Sequence, residues 1–183
     1  MTDAPRTSEQ QFQKAIDRLS TLISYRTIAA DAESPIDACV SFLERELHGL
    51  GADVEVLRLP GARPLLFAEI KGRGDSSLML YQHYDVQPAG TLANWHSDPF
   101  ALNARDGVLY GRGIADNKGN LAARIAALEV LLTEYGELPI TVRFLIEGEE
   151  EIGSPNLPAY LHAYDSRLRA DACIWEGGYR DAE

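Results

Sequence analysis

One stretch limits what this chain can fold into more than any other: Leu78-Met79-Leu80-Tyr81-Gln82-His83-Tyr84-Asp85-Val86-Gln87-Pro88. Its first half is an apolar run of strand character. Such runs mark strands buried on both faces, as in sheets covered by helices. Pro88 closes the segment, because proline cannot donate to a ladder. His83 therefore falls where the strand leaves the sheet, the position at which open α/β sheets keep their ligand crevice. In a His-x-Asp pair one ring nitrogen can bind a divalent ion, while a carboxylate holds the other N–H and selects the tautomer. By itself the pair reads more readily as a structural histidine, so its meaning depends on the acidic motifs further along.

The 183 residues suffice for one domain with a real core, and 45% hydrophobic with 25% charged residues is an ordinary globular composition. A net charge of −11 argues against a nucleic-acid partner, since phosphate binding needs a basic surface. The acidity reads as a solvated surface, part of which can be carboxylates gathered around cations. Cys39 and Cys173 lie far apart within apolar segments, so both are expected to be buried, reduced thiols. Met1 to Gln11 is polar and shows no signal peptide, and no run is long enough for a membrane span. The expected setting is the cytoplasm, without nucleic-acid or membrane partners.

Phe12, Ile16, Leu19, Leu22 and Ile23 recur at helical spacing, predicting a helix from Ser8 to Ser24. Ser34 is the predicted N-cap of a second helix, with Pro35 in its first turn, Ile36, Val40, Leu43 and Leu47 on one face, and Gly51 ending it. Val54, Val56 and Leu59 alternate as a strand, and Leu65–Ile70 is another. The Gly72-Arg73-Gly74-Asp75 turn is expected to join it in a hairpin to the strand that delivers His83. Asp106-Gly107 marks a second hairpin between Ala101 and Tyr110. A glycine-rich loop, Gly111 to Gly119, precedes a helix over 120–135. The β-branched run Ile140–Glu147 is expected to be a central strand, a short helix covers 157–164, and a last strand runs from Ala170 to Trp175. Strands alternating with helices give the α/β class.

Four polar clusters follow from this layout. His83 with Asp85, Glu150 with Glu151, and Glu176 each follow a strand, while Asp116 lies in the glycine-rich loop. If the strands are parallel neighbours, their carboxyl ends bring these side chains to one edge of the sheet. Carboxylates cannot crowd a pocket unpaired, and a divalent cation such as Zn²⁺ or Mn²⁺ resolves the conflict. Each cluster also has a bland reading. Glu149-Glu150-Glu151 can be a solvated turn, Asp116 a helix N-cap and Glu176 a strand end. Trp95 reads as packing, His48 and His162 as surface residues, and His96 stays undecided.

Together the motifs resemble the M20 family of metallopeptidases. They are His83-Tyr84-Asp85-Val86-Gln87-Pro88, Trp95 with Asp98-Pro99-Phe100, Gly111-Arg112-Gly113 with Asp116-Asn117-Lys118-Gly119, and Glu147-Gly148-Glu149-Glu150-Glu151-Ile152-Gly153-Ser154. The nearest branch is the carnosinase-like, cytosolic non-specific dipeptidases, and the likeness runs from about residue 10 to the end. The resemblance implies a three-layer zinc-exopeptidase-like sheet flanked by helices and a site for two divalent ions, zinc first, with manganese or cobalt as alternatives. It further implies that His83 and Glu176 hold one ion, Glu151 the other, and Asp116 both. Asp85 would clamp the His83 ring, and Glu150 would be the general base. Alternation along extended chain would let Glu150 and Glu151 face opposite ways. A cis peptide is expected at Asp116–Asn117.

Family members are considerably longer. Residues 1–183 are therefore expected to be the N-terminal portion of the catalytic domain, without the lid or dimerisation domain and without a further ligating His. The chain is expected to bind one ion moderately and the other weakly, to hydrolyse dipeptides poorly, and to expose apolar surface along an incomplete edge. The implied substrate is a small peptide. An N-acyl amino acid, as in deacylases or desuccinylases, is the alternative, as is a non-catalytic metal-binding fragment. The longer form is expected to be a homodimer.

Overall fold

A computed structural model describes residues 8–176. Helix α1 (Glu9–Ser24) begins with a reciprocal cap: the Ser8 hydroxyl accepts from the Gln11 amide at 3.2 Å, and the Ser8 amide donates to Gln11 Oε1 at 2.8 Å. Its buried stripe is Leu19, Leu22 and Ile23. Helix α2 (Ile36–Gly49) buries Cys39, Val40, Leu43 and Leu47. Its N-cap is Pro35 and not the predicted Ser34, whose hydroxyl donates instead to the Ile28 carbonyl at 2.8 Å. The turn before the helix thus claims the side chain that would have capped it.

The strands are β1 (Asp53–Leu57), β2 (Leu65–Ile70), β3 (Ser77–His83), β4 (Asn103–Arg105), β5 (Val108–Tyr110), β6 (Thr141–Glu147) and β7 (Ala172–Ile174). Five form one mixed sheet in the order β1-β2-β6-β3-β7, and β4 with β5 forms the expected hairpin, with positive φ at Asp106 and Gly107. Strand β6 is central and carries the apolar run predicted for it.

The expected β2–β3 hairpin is absent. Strand β6 lies between them, antiparallel to β2 and parallel to β3. The Gly72–Gly74 turn does not close β2 on β3 but docks on the entry to β6: Arg73 N donates to Leu138 O and Gly74 N to Pro139 O, each at 3.1 Å. A Cβ on Gly72 would sit 2.2 Å from the Ile140 backbone, which is why that approach takes glycine.

Alternate residues of the sheet feed two cores. On one face Leu66, Ala68, Leu80, Phe144 and Ile146 pack with α1, α2 and α3 (Gly119–Tyr135). On the other, Phe67, Met79, Tyr81 and Leu145 pack with Tyr160 of α4 (Leu157–Ala163). This is the expected three-layer arrangement. Cys39 is buried and its thiol pKa is pushed up to about 11 by desolvation, whereas Cys173 is exposed, contrary to expectation, because β7 is an edge strand with little covering it. Ile174 and Trp175 beside it are 48% and 55% exposed among the described residues. No helix among the described residues is long and apolar enough to cross a membrane.

Candidate metal centre

Strands β6, β3 and β7 are parallel neighbours, so their carboxyl ends share one edge. His83 ends β3 and is fully buried. Its Nδ1 lies 3.1 Å from the Asp85 carbonyl oxygen and 3.3 Å from Asp85 Oδ1. A carbonyl can only accept, so Nδ1 carries a proton, and Nε2 is the ring nitrogen that faces the pocket and could bind a cation on giving up its own proton. Asp85 is itself buried and is held by the Glu151 amide, which donates to its Oδ2 at 3.0 Å.

Around Nε2 stand Asp116 Oδ1 at 2.9 Å, Glu176 Oε2 at 3.1 Å and Glu150 Oε2 at 3.8 Å. Two donor sets have ligand atoms within 4.8 Å of one another: His83, Glu150 and Glu176, and His83, Asp116 and Glu151. All six predicted site residues are thus brought to one place. Burial alone would lower the His83 pKa, yet Asp85, Asp116 and Glu150 hold it at about 9. The Glu150 carboxyl is pushed up by desolvation and by Glu176, Glu151 and Asp116, against the pull of His83. Among the described residues no Lys or Arg forms an ion pair with Asp116, Glu150, Glu151 or Glu176. One imidazole nitrogen with several carboxylate oxygens and no basic side chain to neutralise them suits a hard-to-borderline divalent ion. The residues fit such an ion.

Asp116 reaches the centre from an irregular turn. Its φ of −145° and ψ of 98° break the helical path, and the Asp116–Asn117 peptide is cis, as expected. It does not cap α3, which starts at Gly119 without a side-chain cap. A Cβ on Gly119 would meet the Ile114 carbonyl oxygen at 2.1 Å, so this loop closes only around glycine. Beside it the buried Lys118 donates to the carbonyls of Leu22 and Tyr25 at the end of α1, and its pKa is lowered to about 8 by burial.

The acidic run after β6 divides its labour. Glu147 is buried and accepts from the Tyr81 hydroxyl and, at 2.8 Å, from Ser154. Glu149 is buried too, accepting from Asn156 Nδ2 at 2.9 Å and from the Arg63 amide at 3.2 Å. Glu150 and Glu151 occupy a 3₁₀ turn, Glu150–Ile152, and not the extended chain assumed from sequence. Both carboxylates consequently reach the His83 side of the pocket. The Gln87 side chain donates to the Glu151 carbonyl at 2.7 Å and its amide to Glu151 Oε1 at 3.3 Å. Arg63, Tyr81, Gln87 and Asn156 were not foreseen as supports, since no local pattern announces a partner so distant in sequence. Trp95, read as packing, donates from Nε1 to the Ala89 carbonyl and lies under Arg112.

The description "Peptidase family M20/M25/M40" matches residues 79–183. The chain is 33% identical over 174 residues to the probable di- and tripeptidase DUG2 of Saccharomyces cerevisiae, covering 87% of this chain and 20% of that protein. It is 43% identical over 125 residues to the succinyl-diaminopimelate desuccinylase of Xanthomonas campestris pv. campestris strain B100, covering 68% and 33%. Among solved structures, the M20 family metallo-carboxypeptidase Sso-CP2 of Sulfolobus solfataricus superposes with a TM-score of 0.83 at 34% identity, covering 90% of this chain and 37% of that one. The chain therefore spans a fifth to a third of the length of the two curated relatives.

Proposed function

The chain belongs to peptidase family M20/M25/M40, and on that footing we propose that it is the N-terminal, metal-holding part of a hydrolase that cleaves dipeptides or short peptides. The observation that carries this reading is the convergence on His83 Nε2 of carboxylates from the Asp116 loop, the β6 turn and the end of β7, none of them ion-paired to a Lys or Arg among the described residues. In this reading His83 and Glu176 would hold one divalent ion, Glu151 would hold a second, and Asp116 would serve both, with zinc favoured over manganese or cobalt. When bound, such ions supply Lewis acidity toward a scissile carbonyl and lower the pKa of water.

The remaining work falls to the chain's own groups. Asp85 keeps the proton on His83 Nδ1, so that Nε2 stays a donor atom. Glu150 Oε2 takes a proton from water and returns it to the leaving amine; its carboxylate also lies within reach of the His83 and Glu176 donors, so a Glu150→Gln variant decides between base and ligand. Likeness to the desuccinylase favours a second reading on the same centre, hydrolysis of an N-acyl amino acid.

Metal analysis of the purified chain should find one retained equivalent and a second, weaker one, because only Asp116 and Glu151 serve the second ion. Glu150→Gln should keep that stoichiometry, and in the full-length enzyme it should lower hydrolysis of dipeptides by about 10²–10⁴-fold. Loss of metal together with turnover would make Glu150 a ligand and overturn its role. Parallel assays with a dipeptide and an N-succinyl amino acid decide between the two substrates.

A further inference from the structure

The ladder between β3 and β7 stops at Leu80 and Ile174, yet both metal-facing residues lie beyond it: His83 three positions after Leu80, and Glu176 two after Ile174. Something other than strand pairing must hold these two chain ends together. Helix α3, which leaves directly from the Asp116 loop, carries Arg124 to that gap. Its guanidinium donates from Nη1 to the Tyr81 carbonyl at 2.9 Å and from Nη2 to the Trp175 carbonyl at 2.6 Å, with Ile174 O a further 3.5 Å contact of Nη1. Tyr81 and Trp175 are the next residues in register after the last ladder pair. Their rings stack with centroids 3.8 Å apart and planes 14° from parallel, so side chains and main chain are fixed at the same level. A rigid planar fork suits two acceptors at set positions better than a flexible ammonium does.

We infer that Arg124 is a positioning residue of the metal centre, setting Glu176 against His83 by clamping the ends of β7 and β3. It acts through their backbone and touches neither the ion nor the substrate. The helix that bears it starts at Gly119, directly after the Asp116 turn, so one element is tied to all three donors. The inference rests on the reading that His83 and Glu176 share an ion.

Calorimetric titration of the full chain with Mn²⁺ tests it. Arg124→Met should weaken the tighter site about tenfold, the loss typical when an outer support of a ligand is removed. Glu176→Gln should weaken it also, and the double variant should be no weaker than Glu176→Gln alone, because the clamp acts through that ligand. Arg143→Met is the control. It removes an arginine bound to the Arg169 carbonyl and to Glu69 in the same sheet, so it should lower the unfolding midpoint without changing Mn²⁺ affinity. Arg124→Lys, which keeps the charge but not the fork, should fall between parent and Arg124→Met, and it carries the test if the Met variant does not fold. Parent-like affinity in Arg124→Met beside a weakened Glu176→Gln overturns the clamp and leaves the metal reading standing. Additive losses in the double variant overturn it as well. If Glu176→Gln binds as tightly as the parent, the metal reading fails and the inference with it.

Discussion

At the scale of single residues, the turn after β6 shows how little the identity of a side chain decides. Glu147 and Glu149 are buried and spent on hydrogen bonds to the scaffold, while Glu150 and Glu151 next to them face His83. The glycine between the two buried acids makes this possible. A Cβ on Gly148 would lie 2.1 Å from the Tyr84 hydroxyl oxygen, and that hydroxyl is itself committed to the Pro64 carbonyl at 2.8 Å. Gly148→Ala should therefore destabilise the chain by about 1–3 kcal/mol, the usual cost of overpacking a filled interior. Urea unfolding measures it, and an unchanged midpoint would mean that Tyr84 can move aside. From sequence the triple glutamate could be placed after a strand, with Glu150 and Glu151 given roles only through the family resemblance, and nothing in it announced that Glu149 would be buried. Its division into a buried Glu149 and a Glu150 and Glu151 that reach toward His83 depends on Arg63 and Asn156, which no spacing ties to it.

At the scale of elements, α1, α2 and α3 are joined by a charge network around the buried Arg18. Arg18, 4% exposed, donates to Glu46 at 2.6 Å and to Glu129 at 3.2 Å, and Lys14 also pairs with Glu129. Burial would raise the Glu129 pKa, but Lys14 and Arg18 pull it below the ordinary carboxylate value. A carboxylate whose folded pKa is depressed stabilises fully above its unfolded pKa, and loses that contribution as pH falls through the folded one. Glu129→Gln should thus lower the thermal midpoint at neutral pH and flatten its decline on the acid side. A midpoint that falls equally at every pH would deny the linkage. The helices themselves were readable because a 3.6-residue stripe and a cap such as Ser8–Gln11 are local signals. The order of strands was not. Nothing within β2 or β3 says that β6 will separate them, and the glycines that dock on Ile140 look in sequence like an ordinary hairpin turn.

At the scale of the whole molecule, an acidic chain gathers several of its carboxylates around one imidazole, so cation binding and stability must be coupled. A ligand that binds only the folded state adds about 2.7 kcal/mol at a hundredfold excess over its dissociation constant. In a chain of this size each kcal/mol raises the midpoint by about 2–4 °C. Mn²⁺ or Zn²⁺ should therefore raise the unfolding temperature by several degrees, EDTA should reverse it, and His83→Ala should abolish the response. Scanning fluorimetry reads all three, and a parent chain indifferent to both metals and chelator would contradict the coupling. The insertion of β6 between β2 and β3 also has a consequence in time. As the nascent chain leaves the ribosome, His83 and Asp116 emerge well before residue 141, but the strand that joins their half of the sheet to β2 does not yet exist. A growing polypeptide paused before that point would hold its first donors on an unassembled scaffold, and only the arrival of β6 lets them act together.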